Sequence, residues 1–188
     1  MTAPLTPNAR QGNTGFAVSV ALLLIRVALA AVFIYSGSQK LFGWFTPDGQ
    51  PMVTMLAQGL AAHPLPVLSP AAWAYIAAYG ELLGGVSMLL GFVARLGAIP
   101  LIITMLVAIA TVHGPNGFAG TFKFVTLSTG EKDMLIHPGY EFNLCLIAMA
   151  GAILIAGPGL IAADAFLFRR GLWARGPQPL DNPMRRES

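Results

Sequence analysis

The stretch YGELLGG, residues 79–85, sets a carboxylate inside a run that is otherwise almost wholly apolar. SPAAWAYIAA (69–78) precedes it and VSMLLGFVA (86–94) follows, so the segment is long enough to cross a bilayer. A carboxylate at the centre of a membrane helix costs about 2.5–3.5 kcal/mol on insertion scales, and such groups face a bundle interior or a partner charge. Glu81 therefore implies both a membrane and something in it that compensates the charge.

Composition points the same way. The 188 residues are 55% hydrophobic and 10% charged, with a mean hydropathy of +0.67. Soluble domains carry about 25% charged residues, so this chain lacks the polar surface to face water all round. The net charge is only +3, and the basic residues gather near the termini, which fits membrane orientation and not nucleic-acid binding. Cys145 is the only cysteine. It excludes an internal disulfide and reads first as a structural thiol, with redox activity left open.

A hydrocarbon core of about 30 Å needs about 20 helical residues. Four segments meet that length: 16–37, 70–94, 95–114 with Pro100 in its opening turns, and 140–159. The first is too long and too interrupted by Arg26 for a cleaved leader, and reads as an anchor. The expected architecture is an all-α integral membrane four-helix bundle. Residues 1–15 form a flexible N-terminus, 16–165 the membrane domain, and 166–188 an amphipathic segment with a disordered basic tail. Phe166, Phe168 and Trp173 beside Arg169 and Arg170 suit a leaflet surface. Between the first two spans, MVTMLAQGLAA (52–62) reads as a short interfacial helix. The β-prone runs around STGEK (128–132) read as a small hairpin.

Lysine and arginine set the orientation. With four spans both termini share a side, which then carries Arg10, Arg95, Arg169, Arg170, Arg175, Arg185 and Arg186, while the other loops hold Lys40, Lys123 and Lys132. The expectation is a multi-pass protein of the bacterial cytoplasmic membrane with both termini cytoplasmic.

Two groups of polar residues carry the candidate chemistry. Arg26 and Glu81 fall near the middle of adjacent antiparallel spans, so a buried ion pair is expected, with small residues on both faces (Ala30 and Gly37; Ala77, Gly84 and Gly85) admitting close approach. Such a pair either serves function or locks two helices in register. The second group gathers at the outer helix ends: Tyr35, Gln39, Lys40, His113, Asn116, Tyr140, Glu141 and Asn143. His113 and Glu141 are the expected acid–base pair. Arg26, Lys40, Glu81, Asn116, Tyr140 and Asn143 are the expected substrate or quinone pocket. The alternative for the second group is a hydrated helix-end network. No phosphate loop, Cys-x-x-Cys, haem-attachment motif or Gly-x-Ser-x-Gly occurs. His63, His113 and His137 lack helical ligand spacing, and no metal is expected.

LLLIRVALAAVFIYSGSQKLFGWF, YGELLGGVSMLLGFVARLGAIPL, HGPNGF and GYEFNLCLIAMAGAILIAGPG together resemble the DoxX family of small bacterial membrane proteins. The resemblance runs from Leu22 to about Asp164. It rests on the order of the motifs: a basic residue and G-x-x-K in the first helix, GELLGG in the second, H-x-x-N-G-F after the third and YE opening the fourth. The resemblance implies a four-helix bundle. It also implies association with thiosulfate:quinone oxidoreduction, redox-stress and detoxification complexes, or maturation of partner proteins. Three function classes follow: a quinone-linked oxidoreductase subunit acting with a soluble or membrane redox partner, a non-enzymatic scaffold or assembly factor, and a proton or ion path. No covalently bound cofactor is expected, quinone is the candidate ligand, and the bilayer and a second copy of the chain are candidate partners.

Overall fold

The structure, a computed structural model, describes residues 7–62, 67–126 and 132–165. The amphipathic segment and tail expected over 166–188, the proline-rich return with His63, and the tip of the STGEK turn lie outside the described residues. Within them the chain is mostly helical. Helix α1 runs Pro7–Phe42, α2 Val53–Ala61, α3 Pro70–Leu90, α4 Ala94–Ala108 and α5 Glu141–Ala156. Strands β1 (Thr121–Thr126) and β2 (Lys132–His137) pair antiparallel, Thr121 opposite His137. The short helix and the hairpin thus stand where the sequence places them.

Helix ends follow local chemistry. The Ser69 hydroxyl accepts from the Ala72 N–H at 3.3 Å and Pro70 takes the first turn, so α3 starts there. Gly91, at φ 65°, ends it left-handed and donates its N–H to Ser87 at 2.9 Å. Helix α4 continues past Ala108 through a π-helical turn, Ile109–His113, and a 3₁₀ turn, Gly114–Asn116. Pro100 lies inside α4, and the Thr104 hydroxyl donates to the Pro100 carbonyl at 3.0 Å.

Among the described residues three helices are long and apolar enough to cross a membrane: Gly15–Phe42, Pro70–Leu90 and Ala94–Asn116. The fourth expected span is shorter than its sequence suggests. α5 has 16 residues, about 24 Å at 1.5 Å per residue. Gly157 and Gly159, at φ 86° and 81° on either side of Pro158, stop it before the apolar run ends. Large apolar side chains face outward from all four long helices, among them Leu24, Leu83, Leu96 and Ile155. A surface so apolar fits lipid.

Helix α3 packs between α1 and α4, and α5 lies mainly on α4. Glycines fix the spacing. A Cβ at Gly37 would sit 2.8 Å from the Leu82 backbone nitrogen, and one at Gly85 would sit 2.9 Å from that of Ile34. Gly84 faces α4, where a Cβ would sit 2.6 Å from the Leu101 side chain. The core these contacts enclose is apolar: Leu29, Ala30, Phe33, Met88, Ala98, Leu101, Leu146, Ala150 and Ile153 are all buried.

Because the Gly85 contact is with α1 backbone, which no side chain can yield, Gly85→Ala should destabilise the fold by about 1–3 kcal/mol. Gly151→Ala, where nothing lies within 4 Å, should stay within about 0.5 kcal/mol of the parent. Denaturant unfolding in detergent measures both, and equal stability of the two variants would contradict the packing.

Candidate functional site

Glu81 is 2% exposed. Its partner is not Arg26 but Lys40, in the last turn of α1. The Lys40 ammonium spans both carboxylate oxygens, with Nζ 2.6 Å from Oε1. The Ser36 hydroxyl donates to Oε2 at 2.9 Å. Ser36 and Lys40 are one helical turn apart, so they present donors to the same point on α3. Three charge-assisted bonds compensate a carboxylate the bilayer would otherwise penalise.

The pairing expected for Arg26 fails on helix register. Gly37 lies opposite Leu82, which places Arg26 about a dozen residues, roughly 18 Å, along the axis from the level of Glu81. Instead Arg26 reaches the far end of α3. Its Nε donates to the Met88 carbonyl at 2.8 Å and Nη2 to Leu89 at 3.2 Å. Nη1 donates to Pro158 at 3.1 Å and Ile161 at 2.7 Å. These carbonyls include the negative end of α3, a favourable place for a cation. Asp164 closes the arrangement, since its carboxylate accepts from the N–H groups of Val93 (2.8 Å) and Ala94 (3.3 Å) and its own N–H bonds to Gly91. Val93, a β-branched residue held at φ 51°, is strained backbone that this carboxylate secures.

A cavity of about 110 Å³ opens beside the Lys40–Glu81 pair. Its wall comes from Leu56 and Leu60 of α2, Trp73, Ile76 and Ala77 of α3, and Ile103, Thr104 and Thr111 of α4 and the π-helical turn. The two threonine hydroxyls donate to carbonyls of their own helix, Thr104 to Pro100 and Leu101 and Thr111 to Val107. Their lone pairs stay available as acceptors. Lys40 therefore supplies the cavity's charged donor, and most of the remaining wall is apolar.

Of the six expected pocket residues, only Lys40 and Glu81 line this cavity. Asn116 donates to the Pro138 carbonyl at 3.1 Å, and His113 Nδ1 lies 3.2 Å from the same oxygen. Both thus tie the end of α4 to the hairpin's return. Tyr140 packs edge-on against Phe118 with centroids 5.6 Å apart. Asn143 is buried and bonds to Met105 Sδ at 3.3 Å. Glu141 is exposed, and no bond joins it to His113. Cys145 is free and exposed. Among the described residues no group of three His, Cys, Asp or Glu could hold a metal ion. Ser36, Thr104 and Thr111 join the site without having been expected there; Ser36 sits four residues before Lys40, a spacing that puts both on one face of α1.

A family model described as DoxX matches residues 21–114, which runs from within α1 past the end of α4 and takes in every residue lining the Lys40–Glu81 cavity. No curated protein and no solved structure matches the chain.

Removing one partner of a buried ion pair strands the other. Glu81→Gln or Lys40→Met should each cost about 3–5 kcal/mol, and the double variant should recover much of it. Arg26→Met combined with Glu81→Gln should instead be additive, because the two groups share no partner. Unfolding in detergent decides between the two pairings; a double Lys40, Glu81 variant no more stable than the worse single one would contradict the pair.

Proposed function

The chain belongs to the DoxX family, and from that premise we propose that it is the membrane subunit of a quinone-linked oxidoreductase or redox-stress complex. In this reading the Lys40–Glu81 cavity receives the ligand. The observation that carries the proposal is an ion pair at the floor of an otherwise apolar cavity. Binding sites of this kind pair hydrophobic walls with a few placed polar groups. An apolar cavity of about 150 Å³ accepts benzene; one of about 110 Å³ that is open at its mouth takes the edge of a single ring, whose remainder and substituents pass out through the mouth.

The pair is neutral as a unit, which favours an uncharged ligand over a free anion or cation. A carbonyl oxygen meets the Lys40 ammonium, which gives it one of the two protons that two-electron reduction to the quinol consumes; water at the cavity mouth supplies the second and reprotonates Lys40, whose ammonium Glu81 holds in place. Electrons come from a partner subunit or the substrate. In this proposal proton handling passes from His113 and Glu141, which lie outside the cavity, to Lys40 and Glu81.

The same reading places the chain in the bacterial cytoplasmic membrane as a four-helix bundle with both termini cytoplasmic. Support comes from the antiparallel packing of α5 on α4, where Asn143 meets Met105 at one end and Arg95 meets Ile155 at the other. The shortfall of α5 against a 30 Å core is within what local thinning and flanking residues absorb. Basic residues on the side of Arg95 supply the orientation.

Trp73 in the cavity wall offers a probe. In a variant whose only tryptophan is Trp73, a short-chain benzoquinone should quench its fluorescence saturably. Glu81→Gln and Lys40→Met should each weaken binding at least about tenfold, or 1.4 kcal/mol. His113→Ala and Glu141→Gln should bind as the parent does. Non-saturating quenching, equal in all variants, would contradict the proposal.

A further inference from the structure

We infer that the Lys40–Glu81 cavity is closed toward the Arg26 face: water and protons reach it only from the face that carries α2 and the hairpin, and none pass to the Arg26 face. The inference rests on the cavity assigned above but concerns access to it and the side with which it exchanges protons.

Two observations at different depths carry it. Toward the hairpin face, the Lys40 side chain is 22% exposed and that of Glu81 only 3%, so the pair meets water through Lys40. On the other side of Glu81, the core is closed by Phe33, Leu29, Met88, Leu101 and Ile153, none more than 1% exposed. At the same depth Gly84 is in contact with Leu101 and Gly85 with the α1 backbone, leaving no gap for a file of water. A water needs two to four polar partners as well as room; these five side chains offer none, and the Ser87 hydroxyl beside Met88 already donates to the Phe92 carbonyl at 2.7 Å.

Beyond that layer lies Arg26, also 1% exposed. Its guanidinium is already bonded to four carbonyls, those of Met88, Leu89, Pro158 and Ile161. An arginine so held does not lose its proton. The strap that supplies two of those carbonyls is itself pinned, by Leu160 N–H to the Ser19 hydroxyl at 3.2 Å and by Asp164 to the start of α4. The titratable groups lining the cavity are Lys40 from α1 and Glu81 from α3; α2 and α4 add apolar side chains and threonines. A proton exchanged at Glu81 therefore leaves by Lys40 and the hairpin face. This arrangement removes the proton or ion path from the function classes and leaves a binding site closed toward the Arg26 face.

Single-cysteine proteins in a Cys145→Ser background, reconstituted in vesicles of known orientation, test it with a membrane-impermeant methanethiosulfonate. Asp48→Cys, beside α2, and Phe92→Cys, in the turn between α3 and α4, mark the two faces. Thr104→Cys, in the cavity wall, should react from the Asp48 side and lose all labelling from the Phe92 side; Thr111→Cys repeats the test if Thr104→Cys does not fold. Labelling from the Phe92 side, or from neither, overturns the inference. In parallel, vesicles holding a pH dye under an imposed potential should leak protons no faster with the protein than without it. A leak abolished by Glu81→Gln also overturns it. Neither assay contains quinone, so each outcome is independent of whether the cavity binds one.

Discussion

A buried carboxylate in a membrane helix must find a cation, and the position of that cation decides how α1 lies on α3. Glu81 takes Lys40 and Ser36, one turn apart near the end of α1. That choice is possible only because Gly37 and Gly85 let the two backbones close to contact at Leu82 and Ile34. With the register set there, Arg26 is carried to the last turn of α3, where four carbonyls hold it. One ion pair and two glycines thus account for the placement of both buried charges.

The two charges play different parts. Among the described residues Arg26 has no carboxylate in direct contact; carbonyls at the end of α3 and in the segment after α5 accept its donors, and it fastens that segment to α3. Lys40 and Glu81 sit where the helices part to leave a cavity, with α2 along one side and the π-helical turn of α4 along another. π-Helical turns recur at functional sites. A buried pair is weak evidence for stability by itself. A pair that also lines a cavity has a second reason to be kept, because a packed hydrophobic substitute would fill the space.

Much of this was legible in the sequence. Hydropathy and the charge of Glu81 placed α1, α3 and α4 as apolar helices, and the proline and glycine punctuation marked α2 and the hairpin. The GELLGG motif carried the small face that meets α1 and α4. Three features were not legible, each because tertiary contact outweighs local pattern. Arg26 looked mid-span because apolar residues run on from Phe16; α1 outruns its neighbours, and only the Gly37–Leu82 contact reveals it. α5 looked longer because GPG is apolar by composition, yet Gly157 and Gly159 adopt positive φ. Lys40 looked like a helix-end charge, whereas its flexible stem turns back toward the core.

The pairing of Glu81 is the central claim, and one distance tests it. In lipid, nitrogen–carbon recoupling by solid-state NMR between ¹⁵N-labelled lysine or arginine side chains and the ¹³C carboxyl of glutamate separates the two candidates by chemical shift. The account predicts that the Glu81 carboxyl dephases against the Lys40 ammonium, with nitrogen and oxygen within about 4 Å, and not against any guanidinium. Dephasing of Glu81 by the Arg26 guanidinium, and none by Lys40, would contradict it.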